Sequence, residues 1–195
     1  MEKLHLKTSQ NIMLILIIVL LAGCSQMSEL EVDKTAGLNG GFEIAKNGLP
    51  VNWLMYTPNT VPDADFKIVL DNKIFKEGKQ SLKFEVKECQ TTGGWASPGF
   101  TNEFFEAGKY KGEARYKLSF WVKNNESSFK ITAGGVEAKG GEMNTLIESN
   151  EEMNDWKLFE YEVEVPQERW LRIQLNIIKP GTFWIDDVQI EKITD

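Results

Sequence analysis

Tyr116-Lys117-Leu118-Ser119-Phe120-Trp121-Val122-Lys123 sets Leu118, Phe120 and Val122 on one side of the chain and Lys117, Ser119 and Trp121 on the other. Leu171-Arg172-Ile173-Gln174-Leu175-Asn176-Ile177 does the same, with Arg172, Gln174 and Asn176 opposite the aliphatic residues. A period of two is the mark of an antiparallel strand with one buried face. Working outward, residues 81–87 set Leu82, Phe84 and Val86 against Lys83, Glu85 and Lys87. Residues 159–165 set Phe159, Tyr161, Val163 and Val165 against three glutamates. Further strands are expected at 42–45, 52–56, 66–70, 128–133 and 183–191. Breakers separate them at Asn39-Gly40-Gly41, Gly93-Gly94, Gly134-Gly135, Gly140-Gly141 and Pro180-Gly181. Residues 142–156 place Met143, Leu146 and Ile147 at helical spacing, but the stretch is acidic and Asn-rich and reads as a strand and a loop. Nine or more strands without a long helix imply an all-β fold, a two-sheet antiparallel β-sandwich.

The 195 residues are 42% hydrophobic and 26% charged, the balance of an ordinary folded chain. A domain of this size buries about 70% of its unfolded surface and needs no staples. His5 is the sole histidine, and it falls in a segment read below as a cleaved leader. The remainder excludes Ser-His-Asp and Cys-His nucleophiles and histidine-ligated zinc. Beyond residue 23 the chain carries 20 basic and 28 acidic side chains, a balance that repels phosphate backbones and sets nucleic acid aside. No P-loop, Gly-x-Ser-x-Gly elbow or dinucleotide fingerprint occurs, and no catalytic residue is assigned.

The N-terminus reads as an address. Lys3 and Lys7 precede an apolar run, residues 12–22, of 11 residues. That run is too short to cross a hydrocarbon core of about 30 Å but suits a signal peptide. It ends in Leu21-Ala22-Gly23-Cys24, which resembles the lipobox of bacterial lipoproteins. The resemblance implies a leader over 1–23, acylation of Cys24 and a polar tether over 24–37. More than one acyl chain makes a stable anchor. Ser25 stands where an inner-membrane retention signal would carry aspartate, which favours the outer membrane. Glu29, Glu31 and Asp33 leave surface export open. With Cys24 lipidated, Cys89 is a free thiol and no disulfide framework exists.

Asn39-Gly40-Gly41-Phe42-Glu43 followed by Gly48-Leu49-Pro50-Val51-Asn52-Trp53 resembles the opening of galactose-binding-like jelly rolls. The likeness continues at Gly78-Lys79-Gln80-Ser81-Leu82, at residues 116–123, at Trp156 and at Phe183-Trp184-Ile185-Asp186-Asp187-Val188-Gln189-Ile190-Glu191. The best-known members are carbohydrate-binding modules of bacterial xylanases and cellulases. The motifs run in order over residues 38–195. The resemblance implies a structural calcium held by the Glu43 carboxylate, the Lys79 carbonyl and Asp186. The alternative is that Glu43 and Asp186 satisfy nearby turn amides. It also implies that residues 116–123 and 171–177 share the sheet whose concave outer face takes ligand.

Sugars stack their C–H faces on indoles and give hydroxyls to flanking polar groups. Trp53 and Trp156 match scaffold positions, and Trp184 reads as packing. Trp121 projects from the non-core face of its strand, and Trp95 follows a Thr-Thr-Gly-Gly segment unlike scaffold. Trp95, Trp121, Arg172, Gln174 and Asn176 are therefore the expected ligand-binding set. The expected role is a lipid-anchored envelope protein that binds an oligo- or polysaccharide without catalysis. A module that docks an envelope protein partner is the alternative, and a small glycan-cleaving enzyme is the third.

Overall fold

The computed structural model describes residues 36–102, 114–137 and 140–193. The leader, Cys24 and most of the tether lie outside the described residues. The chain divides into two units, Met1–Glu31 and Val32–Asp195, and only the second contains described residues.

Among the described residues thirteen strands follow one another: β1 (Ala45–Lys46), β2 (Leu49–Pro50), β3 (Trp53–Tyr56), β4 (Asp65–Asp71), β5 (Ser81–Glu88), β6 (Gly99–Asn102) and β7 (Ala114–Asn125). After them come β8 (Ser128–Glu137), β9 (Gly140–Gly141), β10 (Asn144–Ser149), β11 (Met153–Val165), β12 (Trp170–Lys179) and β13 (Gly181–Ile193). Every pairing is antiparallel. One sheet runs β10-β8-β12-β6-β3 with β9 beside β8, the other β11-β7-β13-β5-β4, and β1-β2 is a separate hairpin. The two large sheets form an antiparallel β-sandwich, the fold class expected from the sequence.

Alternation decides which side chains fill the space between the sheets. Leu118, Phe120 and Val122 of β7 are buried, and so are Leu171, Ile173, Leu175 and Ile177 of β12. Aromatic rings join the sheets across the core. Phe84 of β5 stacks on Phe100 of β6 with centroids 6.4 Å apart, and Phe129 of β8 meets Phe183 of β13 at 4.7 Å. Fully burying one such ring stabilises the fold by about 1.5–3 kcal/mol, so this shared core fixes how the sheets pack.

The segment before β3 is folded but is not the strand expected at 42–45. Phe42 is buried with a left-handed φ of 56°, which breaks an extended run. Asn39 organises the turn: its Nδ2 donates to Ile44 O and Val51 O, and its Oδ1 accepts from Ile44 N. Gly40 is required, because a Cβ there would stand 1.8 Å from Val188 O. The bulge between Asp186 and Gln189 turns Val188 N onto Gly40 O at 3.0 Å. Thus the start of the fold is stitched to its last strand.

Candidate functional site

The buried trio Leu171, Ile173 and Leu175 turns the intervening residues of β12 to the outer face of the six-stranded sheet. That face carries Arg172, Gln174 and Asn176, as expected, and also Trp170, which is half-buried. Cross-strand register extends each row. Gln174 stands between Thr101 and Thr132, Arg172 opposite Gly134, and Asn176 between Gly99 and Lys130. Tyr56 of β3 closes the last row beside Gly99.

Asn176 is buried and its amide is committed. Its Oδ1 accepts from Gly94 N at 3.0 Å and from Gln174 Nε2 at 2.7 Å, and its Nδ2 donates to Gly94 O at 2.8 Å. It therefore holds the 3₁₀ turn Gly94–Ala96, which contains Trp95, against the outer face. Ser97 locks the same loop by donating to Gln90 O at 2.8 Å and accepting from Gly93 N at 3.1 Å. Asn176, expected in the ligand-binding set, is occupied by the loop instead of open to the face. With both acceptor lone pairs used, it positions a loop. Gln174 keeps its Oε1 free of any partner among the described residues.

Trp121 is not part of this face. It lies on β7 in the five-stranded sheet, between Leu158 and Asp186. Because the core side of β7 also points inward, Trp121 faces away from the sandwich on the side opposite Arg172. Lys76 Nζ sits 4.1 Å over its ring. The loop bearing Lys76 is held down by Asp186, whose Oδ2 accepts from Lys76 N at 2.7 Å and Glu77 N at 3.0 Å. The expectation that residues 116–123 and 171–177 share a sheet fails for a topological reason. Alternation tells which face of a strand is apolar, but strand order decides which sheet the strand joins.

The residues expected to hold calcium come together around the same loop, though not as a cation cage. Glu43 Oε1 accepts from Lys79 N at 2.8 Å and Gln80 N at 3.2 Å. Asp186 takes the amides of Lys76, Glu77 and, through Oδ1, Asp187 at 2.8 Å. Five N–H groups aim their positive ends at these carboxylates, where a cation would need to sit. Among the described residues there is no group of three or more His, Cys, Asp or Glu side chains that could hold a metal ion. Glu43 and Asp186 thus satisfy nearby turn amides, the alternative read from the sequence. Gly78 makes the arrangement feasible: at φ 68° its Cβ would lie 2.2 Å from Glu43 Oε1.

Burial raises the Asp186 carboxyl against the pull of those amides. Burial pushes the Tyr56 phenol up to about 12, with Arg172 pulling the other way. Cys89 is half-buried and free, and burial raises its thiol.

The architecture can be matched to solved structures. The chain superposes on the CBM22-1 xylan-binding domain of Paenibacillus barcinonensis Xyn10C with TM-score 0.55 at 13% identity, over 80% of this chain and 93% of that one. It superposes on the C-terminal family 22 carbohydrate-binding module of Clostridium thermocellum Xyn10B with TM-score 0.54 at 14% identity, over 77% and 89%. The chain shares their fold. The CBM22-2 xylan-binding domain of the Paenibacillus enzyme gives TM-score 0.51 at 17% identity, over 75% and 95%. No family model and no curated protein matches the sequence. At these identities the likeness to family 22 modules speaks for the sandwich alone.

Trp170 lies outside the ligand-binding set expected from the sequence. The signal was present, since it stands two residues before Arg172 and continues the same period-2 row. Thr101 was not legible, because β6 reads Gly-Phe-Thr-Asn with all four residues buried and offers no alternation.

Proposed function

We propose that the protein is a lipid-anchored envelope protein that binds a glycan, without catalysis, on the outer face of its six-stranded sheet. One observation carries this reading: Trp170, Arg172 and Gln174 project side by side, with the Trp95 turn pinned next to them by Asn176. Indoles offer stacking area, and the planar guanidinium and amide offer hydroxyl partners. The likeness to xylan-binding family 22 modules supports a glycan as the ligand class. The lipobox-like Leu21-Ala22-Gly23-Cys24 supports anchoring through Cys24, and Ser25 supports the outer membrane.

The test is titration calorimetry of the full-length protein in detergent micelles against xylan, pectic, host and bacterial glycans. At least one should bind with a Kd on the order of 1 mM or tighter. Silence across the whole set rejects the reading, and a stoichiometric envelope protein in a cross-linked pulldown would then favour docking.

A further inference from the structure

We propose that the glycan taken by this face is acidic, and that Arg172 reads a carboxylate on it. This rests on the glycan-binding reading above and narrows it to uronic-acid polymers.

The chain carries a net charge of −7, with 29 acidic side chains available to 22 basic ones. Its half-buried cations are accordingly engaged. Lys83 pairs with Asp71 at 3.7 Å and Glu85 at 2.7 Å, and Lys130 pairs with Glu148 at 3.4 Å. Lys123 donates to Asn154 O, Arg169 donates to Gly135 O at 3.3 Å, and Lys76 covers Trp121. Arg172 is half-buried too, yet among the described residues no carboxylate or carbonyl receives its guanidinium. Withdrawing a guanidinium from water without a partner is costly. In a protein with a surplus of acids, leaving it so keeps the charge for something that arrives from outside.

Among the described residues, no acid is paired with that charge. Opposite Arg172 on β8 stands Gly134, whose missing Cβ would lie 2.0 Å from Glu142 O, so no side chain can project there. The acid near the next rows, Glu148, is already paired with Lys130. Arg172 does act on the Tyr56 phenol, but burial keeps that phenol neutral at ordinary pH, so it does not serve as counter-ion. Two residues along the row, Gln174 presents its Oε1 for a sugar hydroxyl, and two residues the other way stands Trp170. A stacking ring, a guanidinium without a carboxylate or carbonyl partner among the described residues and an amide oxygen in one row suit a sugar with a carboxylate on its ring. A planar fork meets a planar carboxylate through two parallel hydrogen bonds, a match that an ammonium cannot make.

The experiment is calorimetry of full-length protein in detergent against polygalacturonate and glucuronoxylan, each compared with its own carboxyl-reduced polymer. Dextran sulfate serves as a control for charge alone. The carboxylated member of at least one pair should bind about tenfold tighter or more. Arg172→Gln should collapse that preference, and Arg172→Lys should retain only part of it. If Arg172→Gln does not fold, Arg172→Lys alone decides, since an undiminished preference then counts against the proposal. Equal binding of carboxylated and reduced polymers overturns the carboxylate assignment and leaves glycan binding standing. A preference that survives Arg172→Gln, or tighter binding of dextran sulfate than of polygalacturonate, also overturns it. Binding to none of the polymers overturns the carboxylate assignment, while the glycan-binding reading falls only with silence across the wider panel above.

Discussion

Asn176 and Gly94 hold each other twice, with Gly94 N donating to Oδ1 at 3.0 Å and Nδ2 donating to Gly94 O at 2.8 Å. A side chain on a central strand thereby fixes the main chain of a loop 82 residues away. A strand residue that looks like a ligand contact is instead the mount for one.

Asn176→Ala should release that mount. It removes the side-chain partner of Gly94 N and the stronger partner of Gly94 O, which keeps Ser97 N at 3.5 Å, and costs about 1–3 kcal/mol in stability, read as a lower denaturation midpoint. Glycan affinity should fall with it, although Asn176 offers no free acceptor of its own. Unchanged affinity in a folded Asn176→Ala protein would detach the Trp95 turn from binding.

Trp170→Ala and Trp95→Ala should each weaken glycan binding by about 1–3 kcal/mol if a stacking surface is lost. Trp121→Ala should leave affinity at the wild-type level, because its ring is on the other sheet beneath Lys76. Calorimetry on the three variants separates the two faces directly. Loss of binding in Trp121→Ala alone would move the site to the five-stranded sheet.

Gly78→Ala forces a Cβ into the Glu43 carboxylate at a left-handed φ. It should destabilise by more than the 0.4–1 kcal/mol scale of an ordinary glycine effect, roughly 1–3 kcal/mol. Excess chelator should leave the wild-type melting temperature where it was, since main-chain amides occupy both carboxylates. A melting temperature that falls with chelator and recovers with calcium would show that the cation displaces those amides.

Two aspartates should give the stability curve opposing slopes in acid. Burial raises Asp71, but the Trp184 indole, the amides of Lys73 and Ile74 and the Lys83 charge together bring it below its ordinary value. Its contribution is present above the ordinary carboxyl pKa and is lost as pH falls through its lowered one. Asp186 is raised by burial, so its contribution is full below the ordinary pKa and lost as pH rises through the raised one. Between neutral pH and about pH 3, Asp71→Asn should lose less stability than wild type. Asp186→Asn should lose more. Thermal melts across that window check both signs.

Cys24→Ser should move the protein from the membrane fraction to the soluble fraction and abolish incorporation of labelled palmitate. A Cys24→Ser protein that stays with membranes would overturn acylation at the lipobox.

The strands were largely legible because alternation is a local property. The expected 81–87, 116–123 and 171–177 fall inside β5, β7 and β12, and residues 142–156 do contain a strand, β10, and a loop. Two errors have separate causes. Phe42 is hydrophobic enough for a strand, but its backbone is turned by Asn39, and β6 is buried on both faces and so shows no period. At the site, the outward direction of Arg172 and Gln174 was legible from the same alternation. The separation of Trp121 from them was not, since strand order is set by long-range pairing. Nor was the use of Asn176 by Gly94, a contact with no trace in local sequence.

The strand at the centre of the five-stranded sheet, β13, is the last of the described strands. Until it exists, β4-β5 and β7-β11 are two separate ribbons with no partner between them, and Asp186 is not there to seat the Lys76 loop. The sheet can therefore assemble only once β13 is available, and non-local closure of this kind is slow. A nascent polypeptide emerging from the ribosome keeps this sheet open until β13 arrives. Loss of the final strand removes the middle of a sheet rather than trimming its edge.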